Sequence, residues 1–397
     1  MAIPSNKNLP IPPLEAQTQS QQLGCAIQQA IAQNGGWISF ADFMHAALYT
    51  PNLGYYAGGA HKFGHGGDFV TAPEISPIFA QTIARQAAQI LDCSEGDDLA
   101  SDILELGAGT GKLAADLLLE LAQLHKLPSQ YFILEVSDYL RQIQRENCQK
   151  KLPAELFAKL TWLETLPEKF SGLILGNEVL DAIPVHMLHK TAEGWRERGV
   201  SFTDEFVWQD APLSAPSLAE NLPDDLPQDY VTEVCPAASA LVRSLAEILE
   251  TGAILLIDYG FSAREYYHPQ RSQGTLMCHY QHLAHSNPLT HIGLQDITAH
   301  VNFTQIAQVA NLMSSGEAHV IRLAGYVNQA RFLINCGILE LLQQFSPHEP
   351  QYMKLVAAAQ KLLSPAEMGE LFKVFALTKN MELPLPGFAQ GDKAHTL

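Results

Sequence analysis

The segment Asp102–Lys112 reads Asp-Ile-Leu-Glu-Leu-Gly-Ala-Gly-Thr-Gly-Lys, and no other stretch limits the fold of this 397-residue chain as strongly. The apolar run Ile103–Leu106 suits a buried parallel strand. Gly107, Gly109 and Gly111 then let the backbone turn sharply and approach a ligand with no Cβ in the way. Leu113, Leu117, Leu121 and Leu124 recur at helical spacing, and Pro128 is expected to end that helix. Strand, glycine turn and helix in this order open a doubly wound α/β sheet.

Residue types separate the readings of such a turn. A dinucleotide fingerprint G-x-G-x-x-G beginning at Gly107 needs glycine where Lys112 stands. One beginning at Gly109 meets Ala114, which leaves only a weak match. A phosphate-binding G-x-x-x-x-G-K-[ST] loop ending at Gly111-Lys112 needs glycine at Leu106 and a hydroxyl at Leu113, and fails at both. A glycine-rich turn without any ligand is the plain alternative.

Two further strand ends point to a nucleoside. Tyr131–Leu134 is an apolar run closed by Glu135, about twenty-five residues beyond the turn, where an acid can accept hydrogen bonds from both ribose hydroxyls. Glu135 could instead be an acid at the start of the helix that follows Ser137-Asp138. Gly172–Gly176 is a third apolar run, followed by Asn177-Glu178-Val-Leu-Asp181-Ala-Ile-Pro184. Asn177 offers an amide, and Glu178 and Asp181 offer acceptor-only carboxylates, at the strand end where open α/β sheets bind ligands. A helix N-terminus capped by Asn177 would read the same way.

Beyond these strand ends, the chain carries Tyr49-Thr-Pro-Asn-Leu-Gly54-Tyr55-Tyr56, Gly66-Gly67-Asp68-Phe69-Val-Thr71-Ala-Pro73-Glu74, Trp195-Arg-Glu-Arg198, Ile257-Asp258-Tyr259-Gly260 and Asp296-Ile-Thr-Ala-His300-Val-Asn302-Phe303. With the segments above, these blocks resemble the MidA-like methyltransferase family over about residues 35 to 340. Ala108 and Thr110 stand where relatives often carry proline and arginine. The resemblance implies a class I S-adenosyl-L-methionine (SAM) methyltransferase with a Rossmann-like doubly wound sheet, an N-terminal helical cap and inserted segments. It implies that Pro73, Glu105, Gly107, Gly109, Gly111, Glu135 and Asn177 hold SAM. It also implies a protein substrate with an accessible arginine, because the family includes the mitochondrial arginine methyltransferase of complex I assembly. An assembly factor with the same fold and little turnover, or a small-molecule methyltransferase, would share these motifs.

Methyl transfer from a sulfonium is an in-line displacement, so the acceptor nitrogen must be held aligned with the S–CH₃ bond. A guanidinium stays protonated at neutral pH, and carboxylates are needed to orient it and hold its charge on the nitrogen that does not react. Glu178 and Asp181 are the first candidates for this catalytic clamp, with Glu74 and Asp258 behind them. Tyr259, His300 and Asn302 are expected near the acceptor, although a structural histidine is the commoner reading of His300. The glycines between Gly58 and Gly67 suggest a lid or an ordinary connector. His61 and His65 lie in that loop without carboxylate or cysteine company, a poor zinc pattern, and no metal is expected.

With 24 Lys and Arg against 42 Asp and Glu, the net charge of −18 argues against nucleic-acid binding and suits a basic acceptor. The six cysteines are scattered without a C-x-x-C pair, as expected for reduced thiols in a bacterial cytoplasmic protein. No signal or transit peptide and no membrane-spanning run is evident. The expected organisation is a disordered segment over 1–20, a helical cap with the glycine loop over 21–95, a SAM-binding domain over 96–385 with insertions near 205–232 and 262–295, and a mobile tail over 386–397. Two insertions of this size are compatible with a homodimer.

Overall fold

The computed structural model describes residues 9–58, 71–92, 101–313, 321–381 and 384–397. It divides into two compact units, one from the described parts of Val70–Val179, Leu241–Ser262 and Val301–Leu397, the other from those of Met1–Phe69, Leu180–Ala240 and Ala263–His300. Most of the glycine loop, with His61 and His65, lies outside the described residues.

The first unit is the doubly wound sheet. Its strands are β1 (Asp102–Leu106), β2 (Tyr131–Leu134), β3 (Leu160–Leu163), β4 (Phe170–Asn177), β5 (Leu249–Phe261), β6 (Ile321–Asn328) and β7 (Phe372–Lys379). They lie in the order β3-β2-β1-β4-β5-β7-β6, with Val301–Asn302 beside β5. Strands β3 to β5 run parallel, whereas β7 is antiparallel to both β5 and β6. The order reverses between β1 and β4, the place where open α/β sheets take ligands at the strand carboxyl ends.

The near-continuous apolar composition of these strands is explained by burial on both faces. Ile103, Leu173, Leu255 and Val374 join one core cluster with the helix Pro77–Asp92 and with α1 (Lys112–Gln123). The alternate residues Leu104, Ile174, Leu256 and Phe375 are equally buried on the opposite face, where Phe303, opening the helix Phe303–Met313, packs its ring on Phe375. Helix α1 keeps the predicted leucine stripe, with Leu113, Leu117 and Leu121 buried, but it ends at Gln123. The stop precedes Pro128 because His125 adopts a left-handed φ of 56° and turns the chain, leaving Leu124 exposed. Helix α2 (Asp138–Lys151) follows β2, capped by the Ser137 side chain and with Lys150 and Lys151 at its carboxyl end, where they complement the helix dipole.

The second unit holds the helices Leu14–Gln33 and Phe40–Tyr49 and a five-stranded sheet that includes His186–Thr191, Gly194–Phe202 and Val231–Val234. A small three-stranded sheet is formed by Met277–Tyr280, Leu283–His285 and Asp296–Thr298. The span expected as one helical cap is therefore shared between units, and its first helix begins at Leu14, inside the segment expected to be disordered. Residues expected as a tail carry short 3-10 turns at Pro386–Phe388 and Ala394–Thr396, and Lys393 N–H donates to Tyr326 O at 2.7 Å. Among the described residues, no helix is long and apolar enough to cross a membrane.

Candidate functional site

Strand register builds the site. Leu106 on β1 pairs with Gly176 on β4, and Asn177 pairs with Ile257 on β5. Gly107, Asn177 and Asp258 are thereby neighbours at the carboxyl ends of three adjacent strands, beside the point where the strand order reverses.

Gly107, Gly109 and Gly111 have φ values of 59°, 54° and 81°. At Gly109 an added Cβ would meet no protein atom within 4 Å, so this backbone faces open space. At Gly111 a Cβ would come within 3.0 Å of Cys148 Sγ and 3.2 Å of the Gln144 backbone, which makes glycine a packing requirement there. Thr110, between them, donates from Oγ1 to Glu74 Oε1 at 2.5 Å. That bond ties the short helix Ala72–Ile75, which also carries the buried Pro73, to the glycine turn. Lys112, whose presence removes the dinucleotide fingerprint, pairs with Asp116 at 2.5 Å along α1.

The acid ending β2 is buried and held from two sides. Glu135 Oε1 accepts Ser137 N–H at 2.9 Å, and Oε2 accepts Gln144 Nε2 at 2.9 Å. Burial raises the Glu135 pKa, and the Ser137 and Gln144 donors oppose the rise. Val136, the next residue, is apolar and yet 73% exposed. Glu105 lies deeper, 2% exposed, and accepts from Tyr131 Oη at 2.7 Å. Burial pushes its pKa up to about 7, and the nearby Glu135 charge adds to the rise.

The turn after β4 is strained. Glu178 has φ 54°, uncommon outside glycine, and its N–H donates to Ile257 O at 2.8 Å. Asp258, 1% exposed, accepts Val179 N–H at 3.2 Å through Oδ2 and Tyr259 N–H at 2.9 Å through Oδ1. This buried carboxylate therefore holds the turn after β4 against the end of β5. Asn177 Nδ2 donates to Glu178 Oε1 at 3.0 Å, while Asn177 Oδ1 is buried with no hydrogen-bond partner among the described residues.

The predicted residues Pro73, Glu74, Glu105, Gly107, Gly109, Gly111, Glu135, Asn177, Glu178 and Asp258 all belong to the sheet unit; Asp181 belongs to the other. There Asp181 is buried and, with Asp296, adds to the burial that holds the Tyr56 hydroxyl well above its ordinary range, Tyr56 donating to Asp296 Oδ1 at 2.8 Å. The expected acceptor-side residues have local partners. Tyr259 packs edge-on to Phe372, His300 N–H donates to Thr275 Oγ1 at 3.0 Å, and Asn302 Oδ1 accepts Gln305 N–H at 3.3 Å. Sequence reasoning missed Thr110, Gln144, Asn147, Cys148 and Trp162, all within two residue contacts of the glycine turn; only the helical spacing of 144, 147 and 148 could have signalled three of them. Among the described residues, no cluster of three or more His, Cys, Asp or Glu is arranged to hold a metal ion.

These features fit a nucleoside cofactor. The backbone at Gly109 is bare, Asn177 Oδ1 awaits a donor, and Glu135 is a fixed acceptor. Comparison with known proteins gives the cofactor its identity. A family model described as S-adenosyl-L-methionine-dependent methyltransferase matches residues 82–321. A Burkholderia thailandensis protein of the COG1565 superfamily, solved with S-adenosyl-homocysteine bound, superposes with a TM-score of 0.92 at 48% identity, covering 98% of this chain and 100% of that one. The Mus musculus protein arginine methyltransferase NDUFAF7, mitochondrial, is 31% identical over 88% of this chain and 82% of its own length. Its Homo sapiens counterpart is 31% identical over 88% and 81%. On its sheet order, its glycine turn and these matches, the chain belongs to the family of S-adenosyl-L-methionine-dependent methyltransferases.

Proposed function

We propose that this methyltransferase acts on an arginine side chain of a protein substrate. SAM supplies an electrophilic methyl group on its sulfonium. The glycine turn offers its bare backbone to the cofactor, Glu135 accepts the ribose hydroxyls, Val136 presents apolar surface to the base, and the Asn177 carbonyl oxygen takes a donor from the amino-acid portion. Asp258 and Glu74 act through the loops they hold. Glu178 is the residue that meets the acceptor: its carboxylate orients the guanidinium and keeps the positive charge on the nitrogen that does not react. The N–CH₃ bond forms as the S–CH₃ bond breaks, S-adenosyl-homocysteine leaves, and the proton on the reacting nitrogen passes to solvent water after the new bond has formed.

The observation that carries this reading is the strained Glu178 backbone at the switch point. A carboxylate held at φ 54° by bonds to β5 is costly to build, and such strain concentrates where position matters for chemistry. The relatives named protein arginine methyltransferases support the choice of arginine. A bacterial cytoplasmic setting is part of the same proposal, supported by five free cysteines among the described residues.

The test uses SAM carrying a labelled methyl, a bacterial protein extract as acceptor, and acid hydrolysis followed by amino-acid analysis. Label is expected in methylarginine with the parent, and at least about a hundredfold less with E178Q, whose calorimetric affinity for S-adenosyl-homocysteine stays within about twofold of the parent's. Label in another amino acid or in a small molecule overturns the arginine reading. Full transfer by E178Q overturns the role of Glu178.

A further inference from the structure

Helix α2 faces the glycine turn with Gln144, Asn147 and Cys148, which share one side of the helix at i, i+3 and i+4. Each serves a successive carbonyl of the turn. Gln144 Nε2 donates to Gly109 O at 3.1 Å, Asn147 Nδ2 to Thr110 O at 3.0 Å, and Cys148 Sγ to Gly111 O at 3.4 Å. Asn147 is exposed and Cys148 is a weak donor, so Gln144, with no exposed surface, is the strong member of this row.

Gln144 also does more than its neighbours. Its amide nitrogen donates to Glu135 Oε2 at 2.9 Å as well as to Gly109 O, and its oxygen accepts Trp162 Nε1 at 3.0 Å. An indole N–H can only donate, and a carbonyl or an ionised carboxylate can only accept, so the amide has one orientation that satisfies all three. Trp162 is itself packed under the Arg145 guanidinium at 5.0 Å. One rigid amide thus links the acid ending β2 to the middle of the glycine turn.

We propose that Gln144 is a positioning residue for cofactor binding, which fixes the spacing and charge of Glu135 against the Gly109 backbone so that one nucleoside can engage both. The proposal rests on the reading that Glu135 accepts the ribose hydroxyls. A glutamine that merely filled the core would contribute to folding and leave cofactor affinity unchanged. A positioning glutamine acts through Glu135, so its effect depends on Glu135 being present.

The experiment is calorimetry with S-adenosyl-homocysteine on the full chain for the parent, Q144L, E135Q and the double variant, with the unfolding temperature of each recorded. Q144L and E135Q are each expected to bind about tenfold or more weakly than the parent, and the double variant within about twofold of E135Q alone. Parent-like binding by Q144L beside weakened binding by E135Q overturns the proposal and leaves the Glu135 reading standing. Parent-like binding by E135Q removes that reading and the proposal with it. Additive losses assign Gln144 an effect independent of Glu135 and overturn the proposal.

Should Q144L not fold, Q144E gives a second test, since it keeps the acceptor for Trp162 and loses the donors. Its carboxyl would face Glu135, with Glu105 and Arg141 as the other charged groups acting on that acid. Q144E is expected to bind weakly near pH 8 and to recover several-fold near pH 6, because a shared proton restores a donor between the two acids. The parent has no such gain on acidification. Absence of recovery in Q144E overturns the proposal.

Discussion

Glu105 shows how a residue can carry a motif and still be governed by burial. It is one of the acids legible in the sequence, ahead of three glycines, but the folded chain gives it a tyrosine partner under the sheet and a pKa of about 7 against an ordinary 4.5. An acid whose pKa is raised by folding binds its proton more tightly in the native state. Below about pH 4.5 it is protonated in both states and has no effect on stability; as pH rises towards 7 the unfolded chain ionises first and the fold is progressively penalised, by about 3 kcal/mol in total. E105Q removes that penalty. Relative to the parent, its unfolding free energy is expected to rise between pH 5 and pH 8 by an amount on the order of 2–3 kcal/mol, read by urea denaturation at the two pH values. A difference that stays constant across that range would mean that Glu105 is not the titrating group. The residue scale is also where the sequence was least readable. Gln144 has no motif, and its meaning comes only from the carbonyl, carboxylate and indole that folding brings to its amide.

At the scale of elements, β1, the glycine turn and α1 were legible because one short segment holds an apolar run, three glycines and a 3.6-residue leucine period. Strands β2 and β4 were legible as apolar runs closed by polar residues. The strand β7 was not, since an antiparallel strand beside β5 leaves no local mark on Phe372–Lys379 that differs from a parallel one. The docking of α2 was hidden for a related reason: its polar sequence reads as a solvated helix, and the face it turns inward is defined by hydrogen bonds rather than by apolar area. A second fastening between helices was also missed. Asp116 on α1 is 4% exposed and meets both Lys112 of its own helix and Lys151 at the end of α2. The lysines are 23% and 35% exposed, so solvent screens the pairs, yet removing the buried acid leaves two ammonium groups without their common partner. D116N is therefore expected to lose about 1–2 kcal/mol of unfolding free energy, while its affinity for S-adenosyl-homocysteine falls less than that of Q144L. Loss of cofactor affinity exceeding that of Q144L would show that the α1–α2 fastening, and not the row of donors on α2, sets the glycine turn.

At the scale of the whole molecule, the sheet unit holds every predicted cofactor residue, whereas the signature blocks Tyr49–Tyr56, Trp195–Arg198 and Asp296–His300 belong to the other unit. The unit boundary between Val179 and Leu180 could not be read from the sequence, because it cuts a single continuous signature between Glu178 and Asp181. A ligand that binds only the folded state stabilises it by mass action, about 2.7 kcal/mol at a hundredfold excess over Kd, which for a unit of this size corresponds to a rise of roughly 5–10 °C in unfolding temperature. S-adenosyl-homocysteine should produce that rise in the parent. In hydrogen exchange it should slow the backbone amides of residues 105–112, 135–148 and 176–179, the three strand ends and the helix face that make the site. G109V places a side chain where the backbone now faces open space, at a φ of 54° that a β-branched residue tolerates poorly. It is expected to show neither the thermal shift nor the protection while still unfolding cooperatively. Equal protection in G109V and parent would place the cofactor away from the glycine turn, and with it every role assigned here to the ends of β1, β2 and β4.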